Sequence, residues 1–77
     1  MEEKEAGIRF DAGEFSKALV VSAPLDEGLW LLQLNYKRGS RFVIIEKQRG
    51  GERLFKTIDA ACNAARKIGF RSITVNY

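Results

Sequence analysis

Arg41, Lys47, Arg49, Arg53 and Lys56 crowd five cations into a short stretch of a 77-residue chain. Side chains of this type form charge-assisted hydrogen bonds with phosphate oxygens. Gly50-Gly51 can supply the positive φ that a two-residue hairpin turn requires. In that register Arg49 faces Glu52, Gln48 faces Arg53, Lys47 faces Leu54 and Ile45 faces Lys56, so Lys47, Arg49 and Lys56 share one face of a ribbon. Such a ribbon fits a major groove, where Lys and Arg meet phosphates or guanine edges and Gln48 can pair with adenine. The competing reading is that these cations are solvated guards of hairpin edges. Arg49-Gly50-Gly51 occurs once, inside a patterned hairpin, and reads as a turn rather than as a disordered RNA-binding tail.

The charge is divided along the chain. Residues 1–27 hold seven acids against three bases (net −4), and residues 28–77 hold ten bases against three acids (net +7). A basic unit carrying an acidic segment draws polyanions or an acidic protein surface, and the segment can compete for the same face.

Other chemistries find little support. The chain has no histidine, so the usual general base near neutral pH is missing, and Cys62 has no imidazole to activate it. Among alanines in a helical pattern, Cys62 reads as a small packed thiol. Asp26 and Glu27 are adjacent in an extended stretch and point apart, a poor acid–base pair. No phosphate-binding loop or Gly-x-Gly-x-x-Gly is present. No enzyme, cofactor, metal or small-molecule substrate is therefore expected. Trp30, Tyr36, Phe42, Phe55 and Tyr77 would offer stacking surfaces if exposed on the sheet, but core packing is the expected fate of these rings in a chain this short, Tyr36 and Tyr77 excepted because both sit at strand ends with a hydroxyl that prefers water.

The elements that must position these residues are legible. Residues 1–15 form a partly ordered acidic segment in which Ile8 and Phe10 alternate around Arg9, permitting a short edge strand. Residues 16–77 form a single small domain. Lys17–Ala23 is β-branched and ends at Pro24. Leu29–Tyr36 and Arg41–Lys47 alternate as strands, and Arg53–Phe55 makes a short fourth. Thr57 is an N-cap, Ile58, Ala61, Cys62, Ala65 and Ile68 share a helix face, and Gly69 stands at the C-cap with Phe70 closing it. Arg71–Tyr77 alternates as a last strand. The order β-β-β-β-α-β gives an α+β fold, an antiparallel meander with one helix on one face.

The stretch from Trp30 through the meander to Phe55-Lys56-Thr57-Ile58-Asp59-Ala60-Ala61 and Ala64-Ala65-Arg66 is similar to the sheet-then-helix pattern of AP2-type and integrase arm-type DNA-binding domains. That resemblance implies DNA reading by the sheet, braced by the helix. The further strand after the helix departs from it.

A domain of about this size buries only roughly 60% of the surface its unfolded chain exposes. With one cysteine and no histidine, oligomerisation is the stabilising device left. The two long central strands are apolar on both faces, so the second face needs the N-terminal segment or another copy, and a homodimer is expected. No stretch approaches the ~20 apolar residues of a membrane span, and Met-Glu-Glu-Lys-Glu is too acidic for a secretory n-region, which makes the cytoplasm the expected compartment. The function expected is nucleic-acid binding, to DNA or RNA, through Arg41, Lys47, Arg49, Arg53 and Lys56. The alternative is a protein-interaction or assembly module.

Overall fold

A computed structural model describes residues 1–76. The order is α1 (Glu3–Asp11), β1 (Phe15–Ser22), β2 (Trp30–Tyr36), β3 (Phe42–Ile44), α2 (Ile58–Ile68) and β4 (Ile73–Asn76). The four strands form one sheet in the order β3-β2-β1-β4. β1–β2 and β2–β3 are antiparallel, as the meander requires, whereas β4 lies parallel to β1 on the outer edge. The fold is thus α+β, but the expected β-β-β-β-α-β is corrected to α-β-β-β-α-β.

Three local differences explain that change. Residues 3–11 are helical because Ala6 and Phe10, one helical turn apart, turn inward, while Ile8 is 64% exposed. The alternation of Ile8 and Phe10 therefore marks no strand. The segment 53–55 forms only a bridge, in which Phe55 and Trp30 exchange backbone hydrogen bonds of 2.9 and 2.8 Å. The chain stops pairing with β2 after Ile45, whose N–H donates to the Leu32 carbonyl, loops out and returns beside Trp30, so no continuous fourth strand forms there. Finally, α2 contacts β2, β1 and β4, crossing the sheet and delivering the last strand in parallel beside β1. The part of the final strand expected at Tyr77 lies outside the described residues.

The helix α2 follows its sequence signals. Thr57 Oγ1 accepts a 3.0 Å hydrogen bond from the Ala60 N–H, and the N–H groups of Gly69 and Phe70 both donate to the Ala65 carbonyl at 3.1 Å. Ala61, Ala64, Ala65 and Ile68 are buried. Small residues on this face let the helix approach the sheet closely.

Both helices lie on one face of the sheet. Ala6, Ala61, Ala65 and Ile68 share a core with Ala18, Val20, Leu32, Leu34 and Ile45. Each of the larger aliphatic side chains buried there contributes about 1.5–3 kcal/mol. A β-bulge between Phe15 and Lys17 re-aims Phe15 into this core, where its ring lies 5.1 Å from that of Tyr36. The opposite sheet face carries Lys17, Leu19 and Val21 from β1, Leu31, Gln33 and Asn35 from β2, and Phe42 and Ile44 from β3. Segment 1–15 does not cover that face.

Phe10 joins the two helices. Its ring packs edge-on to Phe70 at 4.7 Å, and a Cβ at Gly69 would lie 2.5 Å from two Phe10 ring carbons. Gly69 also has φ +139°, outside the usual range of L side chains. Gly69→Ala is accordingly expected to lower stability by about 2–4 kcal/mol in urea unfolding, from overpacking plus backbone strain. At Gly7, inside α1, a Cβ would meet only the Ile68 carbonyl oxygen of α2, at 3.9 Å, and Gly7→Ala is expected to raise stability by about 0.5–1 kcal/mol. Equal effects at the two glycines would contradict this account of the helix contact.

Candidate nucleic-acid interface

The cations expected to act together are divided between two places. Lys47, Gln48, Arg49 and Gly50 form the outer loop between β3 and the Phe55 bridge. The N–H of Gly50 donates to the Lys47 carbonyl and the N–H of Lys47 to the Gly51 carbonyl, both at 3.0 Å. Gly50 has φ +88°, so the loop is the three-residue type closed by a left-handed glycine rather than a two-residue turn at Gly50-Gly51. Glu46 therefore faces Glu52, and the Arg53 N–H donates to the Ile45 carbonyl at 3.0 Å. The shared face expected for Lys47, Arg49 and Lys56 is lost through this three-residue shift in register. Lys56 is exposed beyond the bridge, just before the cap of α2.

This loop is electrically mixed. An open hollow of about 380 Å³ beside it is lined by Glu2, Glu3 and Glu46 and by Lys4, Lys47 and Arg53, three acids against three bases. Arg53 Nη1 lies 3.5 Å from Glu3 Oε2, and its guanidinium stacks 4.8 Å over the Phe55 ring. The backbone of the acidic segment is tied to the same place, with the Glu46 N–H donating to the Met1 carbonyl at 2.8 Å.

Arg41 belongs to a different cluster. It closes the turn Lys37-Arg38-Gly39-Ser40 between β2 and β3, where its guanidinium sits 4.9 Å over the Tyr36 ring. The turn is held by the Tyr36 N–H donating to the Arg41 carbonyl (3.1 Å) and the Lys37 N–H donating to the Glu14 carbonyl (2.9 Å). Lys37, Arg38 and Arg41 line an open hollow of about 500 Å³ with Tyr36, Ala12, Gly13 and Glu14. Glu14 is the sole acid there, and it is committed elsewhere: its Oε1 pairs with Arg9 Nη1 at 3.1 Å, while Arg9 Nε meets Glu5 at 2.9 Å. The Arg9 pKa is raised by those partners, the Glu5 hydrogen bond most and the Glu14 hydrogen bond next. Among the described residues no ion pair is made by Lys37, Arg38 or Arg41, nor by Lys47, Arg49 or Lys56; the two loops differ in how many carboxylates lie beside the cations, three in the hollow by Lys47 and one in the hollow by Lys37.

A second hollow of about 450 Å³ lies on the sheet side of the same turn and shares Tyr36, Lys37 and Arg41 with the first. Ser16, Gln33, Asn35 and Phe42 contribute to it. Lys17 stands opposite Asn35, and Asn35 opposite Phe42, in one cross-strand row.

Lys37 and Arg38 were not among the five residues expected to bind. Their signal was present in the sequence as adjacent cations at a turn without a neighbouring acid, whereas Lys47, Arg49 and Arg53 alternate with Glu46 and Glu52. Cys62 is half-buried against the core. Among the described residues no cluster of metal-ligating side chains and no helix long and apolar enough to cross a membrane is found. No family model, curated protein or solved structure matches this chain.

The Glu3–Arg53 pair is partly exposed at both ends, and a double-mutant cycle on it is expected to give a coupling of about 0.2–1 kcal/mol that shrinks as salt rises. A salt-independent coupling well above that range would mean that the acidic helix holds the hairpin more firmly than the mixed charge implies.

Proposed function

We propose that this chain is a small nucleic-acid-binding module that contacts phosphates mainly through the turn Lys37–Arg41. The observation that carries this reading is the contrast between its two basic loops. Lys37, Arg38 and Arg41 surround an open hollow whose one carboxylate is already paired with Arg9. A polyanion approaching them meets uncompensated positive charge, which is what phosphate binding and counterion release require. Arg41, held over Tyr36, offers its planar fork at low ordering cost. Lys47 and Arg49 are secondary contacts, Lys56 stands apart, and Arg53 is largely committed to Glu3.

A second reading is assembly through the sheet face away from the helices, favoured by the half-buried Leu19, Val21 and Ile44 lying together there. In that reading a second copy covers those residues and the chain is a homodimer. The two readings separate by their response to salt and by which substitutions matter.

The test is fluorescence anisotropy of labelled oligonucleotides across a range of salt. With three phosphates neutralised, log K is expected to fall against log salt with a slope of about −2 to −3. Replacing Lys37, Arg38 and Arg41 by Ala should abolish measurable binding and flatten the slope, whereas Lys47→Ala/Arg49→Ala should cost less. Binding that survives the triple replacement and is lost in the double one would return the site to the outer loop. No binding by a folded wild type at low salt would favour assembly.

A further inference from the structure

We propose that the ligand of this site is single-stranded, with a base stacked on Phe42 and neighbouring phosphates held by Lys37, Arg38 and Arg41. This rests on the phosphate-binding reading above and specifies its substrate class. Phe42 is 55% exposed, and among the described residues it is the one aromatic in the set of exposed large hydrophobic side chains. The others of that set are Ile8 on α1, Leu25 beyond Pro24 and Leu54 beside the Phe55 bridge. A ring left open on a sheet face, immediately after a cationic turn, is the arrangement that unstacked bases use.

The polar groups around the ring suit the same ligand. Asn35 lies directly across from Phe42, and Gln33 follows on the same face. Gln33 Nε2 donates to Asn35 Oδ1 at 2.8 Å. Among the described residues, the Asn35 amide nitrogen and the Gln33 amide oxygen then have no hydrogen-bond partner. They leave an amide NH2 donor and a carbonyl acceptor beside the ring for a base edge. Lys17, across from Asn35, extends positive charge along that row.

Charge complementarity selects a polyanion, and the exposed ring selects a single strand. In a duplex the bases already stack on one another, and a phenyl ring on a sheet face reaches them only by prising a step open. A single strand presents its base faces at no such cost. The sheet hollow and the helix-side hollow share Tyr36, Lys37 and Arg41, so one strand can hold phosphates at the turn while its base lies over Phe42.

The experiment compares labelled oligothymidine and oligouridine with a duplex of equal length, using the wild type, Phe42→Ala and Phe42→Tyr. Circular dichroism checks folding, and sedimentation velocity is run on the same samples. Single strands are expected to bind more tightly than duplex. Phe42→Ala should weaken single-strand binding about tenfold or more while leaving duplex binding unchanged, and Phe42→Tyr should retain it. Duplex preference, or single-strand affinity indifferent to Phe42→Ala, overturns the proposal while leaving the phosphate reading intact. Binding of neither form overturns both. Loss of a dimer in Phe42→Ala with oligonucleotide affinity unchanged assigns the ring to a second copy and likewise overturns the proposal.

Discussion

The seating of the Phe10 ring on Gly69 and Phe70 is the contact on which the rest of the arrangement depends. It docks the acidic helix against α2, since Gly69 is the only residue type that leaves room for the ring. The docked helix brings Ala12, Gly13 and Glu14 beside the end of β2, where the Glu14 carbonyl receives the Lys37 N–H. A packing contact in the core thereby sets the backbone of a cationic turn. The same docking lets Arg9 engage Glu14 and withdraw its charge from Lys37, Arg38 and Arg41.

The acidic segment then acts unequally on the two basic loops. Its start brings Glu2 and Glu3 beside Lys47 and Arg53, so that acids and bases are mixed around that hollow, with Glu46 paired to the Met1 ammonium. Its last turn supplies Arg9, which leaves the β2–β3 turn uncompensated. The charge division visible along the chain is thus folded into a spatial asymmetry, with Glu2, Glu3 and Glu46 beside Lys47 and Arg53 and Glu14 alone beside Lys37, Arg38 and Arg41. The one-sided placement of both helices completes the geometry by leaving the far sheet face, with Phe42, Gln33 and Asn35, beside the free cations.

Much of the fold was readable from the residues. Thr57, the Ala61–Ile68 spacing and Gly69 define α2 because capping and helical periodicity act within a few residues. The meander of β1, β2 and β3 follows from alternation and turn residues. The N-terminal helix was not readable as such, because only Ala6 and Phe10 turn inward and its inward face is completed by Gly69 and Phe70, far away in sequence. The hairpin register failed because consecutive glycines permit both two- and three-residue turns, and the choice rests on where Phe55 pairs with Trp30. Of the candidate site, Arg41 was legible. Its association with Lys37 and Arg38 and its separation from Lys47 and Arg53 depend on which acids the fold brings to each, and that is a property of tertiary structure.

The most direct measurement is a 15N-resolved NMR titration of the intact chain with a short single-stranded oligonucleotide at low salt. The amides of residues 37–42, with those of Lys17, Gln33 and Asn35, are expected to shift in a salt-reversible manner while those of residues 47–53 move little. Shifts centred on residues 47–53, or a spectrum unchanged by saturating oligonucleotide, would contradict a site at residues 37–42.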